Sequence, residues 1–188
     1  HPLLIQFSNA AFYQNQLIPI AADRMDSPIR FHSVNGNYED ATNQKEAEAL
    51  VEAIKKIQPQ PNGNWPSFGI GTLNLYQRNL ILASIAQKQV EDANFRAVWQ
   101  HLEGSAFVKN LEHIQGDERD VLFISTTFGP DRNGKFRRNF GPISQKNGYR
   151  LLNVLITRAK KRMEIFCSIP DSVLQETSSI LQEQGKTG

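Results

Sequence analysis

Cysteine is all but missing from this chain: 188 residues contain one, Cys167. A lone thiol excludes a disulfide framework and any cysteine-built zinc or iron–sulfur centre. Long apolar runs are missing too. Nothing approaches the ~18 consecutive residues that cross a bilayer, and no basic-then-apolar leader opens the chain. Membrane partners are therefore not expected, and a cytoplasmic setting is. The four histidines (His1, His32, His101, His113) lack metal-ligand spacing, so no metal site is expected, and no Ser/His/Asp grouping stands out. The phosphate-binding Gly-x-x-x-x-Gly-Lys-Ser/Thr loop is also absent. The closing Gly185-Lys186-Thr187 resembles its tail, but Ile180 stands where the first glycine belongs. There are no repeats and no low-complexity tracts. A chain that opens at His1 without an initiator methionine reads as a piece of a longer protein.

What is present fits one domain. A hydrophobic fraction of 39% over this length is enough for a real core. Strand and helix patterns alternate. Residues 1–15 read as a short helix and 29–34 as a strand. Asn43 followed by Glu46 makes a capping-box-like start to a helix burying Ala47, Leu50, Val51, Ile54 and Ile57. Further strands are expected at 68–73, 106–109, 121–126 and 162–168. Helices are expected from about Tyr76, over 91–103, over 149–159, and after Pro170. The run VLFIST (121–126) is apolar throughout, as in a strand covered on both faces. The reading is an α/β domain with a mainly parallel central sheet flanked by helices. Ligands in such sheets gather at the carboxyl ends of the strands.

Charge is unevenly placed. Residues 128–163 carry ten Lys and Arg against Asp131 alone, a net of +9, while the whole chain nets only +2. Such a block is either a polyanion footprint or a solvated charged loop.

Three segments carry candidate chemistry. Gln115-Gly116-Asp117-Glu118-Arg119-Asp120 is a glycine turn with three carboxylates. Gly116 would let the backbone approach a ligand and Glu118 would accept from a hydroxyl such as a ribose's, although polar Gly-Asp turns are commonplace. In residues 148–162, Leu151, Val154 and Leu155 share a helix face with Arg158, an arginine in the last turn of the expected helix. It either snorkels to solvent or reaches an anion across an interface. In residues 68–78 a strand runs into a helix, and Thr72, Asn74 and Gln77 stand at the crossing. They suit either phosphate-backbone contact or ordinary helix capping by Asn74.

Taken in order, these segments resemble the second, C-terminal RecA-like motor domain of superfamily 1 helicases, in the branch with the nonsense-mediated-decay helicase and large bacterial helicase-related proteins. The stretch from His1-Pro2-Leu3 through Phe12-Tyr13 resembles the residues after that family's Q-Y-R element. Thr72 through Gln77 is similar to T-P-Y-x-x-Q, Gln115 through Asp120 to Q-G-x-E-x-D, and Asn153 through Lys160 to N-V-A-x-T-R-A-K. The resemblance implies that Arg158 is an arginine finger on the ATP γ-phosphate. It implies that Glu118 and Gly116 contact the nucleotide, and that Gln115 couples the ATP cleft to the nucleic-acid track. Thr72 and Asn110, at their strand ends, and Asn74 beside them would lie on that track.

Leu73 and Asn74 depart from the usual Pro-Tyr, and Leu155 stands where alanine is common. The basic 128–148 insert resembles a loop of the bacterial helicase-related proteins. The resemblance implies ATP and Mg2+ in the full-length parent, with the Mg2+ ligands on the parent's first RecA-like domain. The chain alone is then expected to be inactive. The implied partner is single-stranded nucleic acid, DNA favoured over RNA. Two other readings stay open: a non-catalytic nucleic-acid-binding or docking module with this fold, and a nucleotide-dependent scaffold that hydrolyses ATP without unwinding.

Overall fold

The computed structural model describes residues 28–144 and 148–174. The expected helix over 1–15, the motif beginning at His1, most of the helix after Pro170 and the Gly185-Lys186-Thr187 tail lie outside them. In chain order the described elements are β1 (Ile29–Ser33), α1 (Gln44–Ile54), β2 (Phe68–Thr72), α2 (Leu75–Glu91), α3 (Ala93–Leu102), β3 (Phe107–Asn110), β4 (Arg119–Ser125), α4 (Gly148–Ile156) and β5 (Ala159–Cys167). The strands form one sheet in the order β1-β5-β4-β2-β3, with every pairing parallel. All carboxyl ends therefore share one rim and all amino ends the other.

The sheet is covered on both faces. On one, α1, α2 and α3 bury Phe68, Ile70, Val121, Phe123 and Phe166. On the other, Leu122, Ile124 and Met163 pack beneath Leu155 of α4. Strand β4 sends Val121 and Phe123 to one core and Leu122 and Ile124 to the other, which is why its sequence is apolar without alternation. Helix starts follow their caps: Asn43, Asn74 and Asp92 accept from the backbone N–H of Glu46, Gln77 and Phe95. The Phe95 N–H, joined by Lys55, holds the Asp92 carboxyl down to about 2.

Two expectations shift. The last helix ends at Ile156 rather than near 159, and β5 begins at Ala159 rather than 162. Arg158 therefore stands in the turn between them, because pairing of Ala159 with Arg119 of β4 claims those residues for the sheet. Residues 128–141 are built rather than merely solvated. Phe128 packs against Tyr38 (5.2 Å between ring centroids) and Phe140 (5.6 Å), and Phe140 against Phe136 (5.9 Å).

Leu155 gains its place from a glycine. A Cβ on Gly71 would lie 2.5 Å from Leu155 Cδ1, so the bare β2 backbone makes room for the larger side chain. Gly71→Ala is expected to destabilise the chain by about 2 kcal/mol through overpacking. Adding Leu155→Ala should recover part of that loss, so that the double variant melts above the sum of the single losses. Strict additivity would refute the pairing.

Candidate site on two rims of the sheet

The residues singled out by sequence divide between the rims. At the amino rim, Arg119 pairs with Ala159, so the residues just before them, Glu118 and Arg158, arrive side by side although 40 positions apart in sequence. The Arg119 N–H donates to the Arg158 carbonyl at 3.0 Å, which fixes the two turns together. The Arg158 side chain is half-buried, with Nε donating to Val154 O (3.0 Å) and Nη2 to Thr157 Oγ1 (3.1 Å). The Val154 carbonyl belongs to the end of α4, where the helix dipole favours a cation. These bonds engage two of a guanidinium's five donors and orient the group. Among the described residues Arg158 forms no ion pair with a carboxylate.

Glu118 is exposed and stands 3.7 Å from Lys160. Behind it, Asp120 locks the rim. Its carboxylate accepts from Ser67 N–H and Oγ (both 3.1 Å) and pairs with Lys161 (3.1 Å). Burial opposes its charge, but these donors outweigh burial and hold its carboxyl below the usual range. In Gln115–Asp120, then, Glu118 faces solvent and Asp120 ties β2, β4 and β5 together.

Gln115 and Gly116 are exposed on the connection that runs from the carboxyl end of β3 to the amino end of β4. Gly116 has φ +88°, a left-handed conformation that favours glycine, and open space lies where a Cβ would project. Asp117 next to it pairs with Lys109, and that contact, with the nearby charges of Arg119 and Arg158, depresses its carboxyl.

The carboxyl rim holds Thr72, Asn74 and Asn110. Thr72 is in register with both Asn110 and Ser125. Thr72 is fully buried, and its hydroxyl donates to Asn74 O (2.8 Å). Asn74 accepts from Gln77 N–H and donates through Nδ2 to Ala41 O (2.9 Å), so the capping role is realised. Asn110 Oδ1 meets His113 Nδ1 at 2.7 Å. All three are engaged within the fold and set the shape of this rim.

Sequence reading missed the centre of the rim. Glu46, fully buried, does not close a capping box with Asn43, whose N–H donates instead to Gln77 Oε1 (2.7 Å). Its carboxylate accepts from Ser125 Oγ (2.6 Å), Thr126 Oγ1 (3.1 Å) and Thr127 N–H (2.7 Å). Gln77 Nε2 completes the cluster, donating to Ser125 Oγ (3.1 Å) and Asn43 O (3.0 Å). Burial pushes the Glu46 carboxyl up from its ordinary value despite those donors. Thr127 has φ +69°, rare for a β-branched residue. The signal was available: Glu46 heads the stripe with Leu50, and Gln77 heads the one with Ile81 and Ile85.

No three His, Cys, Asp or Glu among the described residues converge as a metal cage. No described helix is long and apolar enough to cross a membrane.

Comparison with known proteins agrees with this architecture. A family model described as "AAA domain" matches residues 1–170. An uncharacterized ATP-dependent helicase, MG140, of Mycoplasma genitalium is 33% identical over 171 residues, covering 87% of this chain and 15% of its own length. Its Mycoplasma pneumoniae homolog is 34% identical over 168 residues, with the same coverage of 87% and 15%. The putative helicase mov-10-B.2 of Danio rerio is 27% identical over 190 residues, covering 85% of this chain and 18% of its own length. The chain thus spans roughly a sixth of the curated relatives it matches. With a parallel α/β sheet and a match over most of its length, the chain belongs to the AAA domain family as a helicase-like member.

Proposed function

We propose that this chain is the C-terminal RecA-like motor domain of a superfamily 1 ATP-dependent helicase or translocase, in the branch with the nonsense-mediated-decay helicase. The observation that carries the reading is the meeting of Glu118 and Arg158 on the amino rim. ATP would lie between this rim and the first RecA-like domain of the same parent. Glu118 and Gly116 would contact the nucleotide. The Arg158 guanidinium, oriented by Val154 O and Thr157 Oγ1, would donate to charge developing on the γ-phosphate. The residues that would hold Mg2+ lie on the other domain's side of that cleft, where the ion would neutralise phosphate charge, and this chain by itself would turn over no ATP.

Single-stranded nucleic acid, DNA before RNA, would run along the opposite rim, whose outline Thr72, Asn74 and Asn110 fix. Strand β4 joins the two sites directly, with Glu118 at its entry and the Glu46-bound Ser125 at its exit. Gln115, on the connection into β4, would help couple them. A cytoplasmic setting fits this role.

ATP turnover by the full-length parent tests the reading. Single-stranded DNA is expected to stimulate it, and strand displacement should accompany it. Turnover without displacement would favour a scaffold. The net charge of +9 over 128–163 is what favours a non-catalytic docking module. That alternative requires a parent with no ATP turnover, and this outcome would displace the motor reading.

A further inference from the structure

Beside the carboxyl rim lies an open hollow of about 500 Å3, walled by Tyr38, Tyr76, Phe128, Lys135, Arg137 and Asn139. Tyr76, in the first turn of α2, is 64% exposed, although a phenol ring normally gains by burial. Lys135 and Arg137 are exposed and have no ionic or hydrogen-bonded side-chain partner among the described residues. The one carboxylate on the wall, Asp131, is turned to the backbone, accepting from the N–H of Asn133 (2.9 Å) and Lys135 (3.0 Å). A second carboxylate, that of Glu39 next to Tyr38, is occupied by Arg132 at 2.5 Å.

The loop bearing these cations is held in place. Its Phe128, Phe136 and Phe140 interlock with Tyr38, and its root at Thr127 is bound to buried Glu46. An exposed ring facing unpaired cations across a space of this size suits a flat aromatic group linked to an anion. We infer that the hollow receives one nucleotide of a single strand, its base against Tyr76 and its flanking phosphate on Lys135 and Arg137. A duplex keeps its bases stacked inward and offers none to the ring. The inference rests on the carboxyl rim being the nucleic-acid track, and it adds a base-holding site that the 128–141 loop builds.

The experiment uses the full-length parent without nucleotide and a fluorescent single-stranded oligothymidylate, with an abasic oligonucleotide of equal length as comparison. Tyr76→Ala should weaken oligothymidylate binding about tenfold. Tyr76→Phe should retain it, and the abasic strand should bind both variants and the wild type alike. Lys135→Ala with Arg137→Ala should flatten the dependence of log affinity on log salt by about 0.7 to 1.4, one or two phosphates' worth. Equal weakening of both oligonucleotides by Tyr76→Ala, or no weakening, would overturn the inference while leaving the track reading intact. A wild-type parent that binds neither strand would overturn the track reading itself. Nitration of Tyr76 should be rapid in the free parent and slowed by oligothymidylate. A ring already protected in the free parent would show the hollow filled by the parent's own chain, and would also overturn the inference.

Discussion

Replacing Arg158 by alanine in the full-length parent is expected to cut ATP turnover about 10³-fold while nucleotide binding stays near the wild-type level. That loss corresponds to about 4 kcal/mol of transition-state stabilisation. The geometry explains why the effect should fall on turnover. The guanidinium is tethered at Nε and Nη2 to the end of α4, and no carboxylate of the described residues forms an ion pair with it, although Asp117 is near enough to feel its charge. Its two bonds run to the adjoining turn in a half-exposed setting and are worth about 1 kcal/mol each. The melting temperature of the variant should therefore fall by only about 6 °C, too little to unfold the domain under assay conditions. Arg158→Lys should fail nearly as badly, because one ammonium cannot hold Val154 O and Thr157 Oγ1 while also reaching outward. Undiminished turnover in Arg158→Ala would remove this residue from the mechanism, and a collapse of nucleotide binding would make it a ground-state contact instead.

How much of this was legible in sequence varies by the kind of interaction. Strand β4 was legible because a two-faced strand needs apolar residues at every position, and VLFIST has them. Helix starts at Asn43 and Asn74 were legible because capping is local. The division of the candidate residues between two rims was not. Carboxyl-end loops are the usual ligand side of a parallel sheet, yet a residue closing a helix that feeds a strand must stand at that strand's amino end, and Arg158 does. The end of α4 was misplaced by three residues because helical periodicity runs on through Thr157 and Arg158, whereas pairing with β4 decides where β5 begins. The fit of Leu155 over Gly71 and the partners of Glu46 depend on segments 79 to 84 positions apart, beyond any local pattern.

Glu46 is the residue where that long-range dependence should cost most. Glu46→Leu strips the acceptor from Ser125 Oγ, Thr126 Oγ1 and Thr127 N–H at once, and leaves buried donors without partners. At about 1–3 kcal/mol for an unpaired buried donor, and with hydroxyls able to turn elsewhere, the expected loss is about 4 kcal/mol. For a domain of this size that lowers the melting point by about 12 °C. The pH dependence carries the sharper signature. Burial raises the Glu46 carboxyl above its unfolded value of 4.5, so the folded state binds the proton more tightly than the unfolded chain does. Stability from this group is then fully present below pH 4.5 and declines as pH rises through the raised value. The depressed carboxyls, Asp92, Asp117 and Asp120, act in the opposite sense and at lower pH. Glu46→Gln cannot titrate, so wild type minus Glu46→Gln isolates the one contribution. That difference in unfolding free energy is expected to favour wild type most at low pH and to shrink as pH climbs above 4.5. A difference that stayed flat, or grew with pH, would mean that the carboxylate is held charged in the fold and that its three donors outweigh its burial.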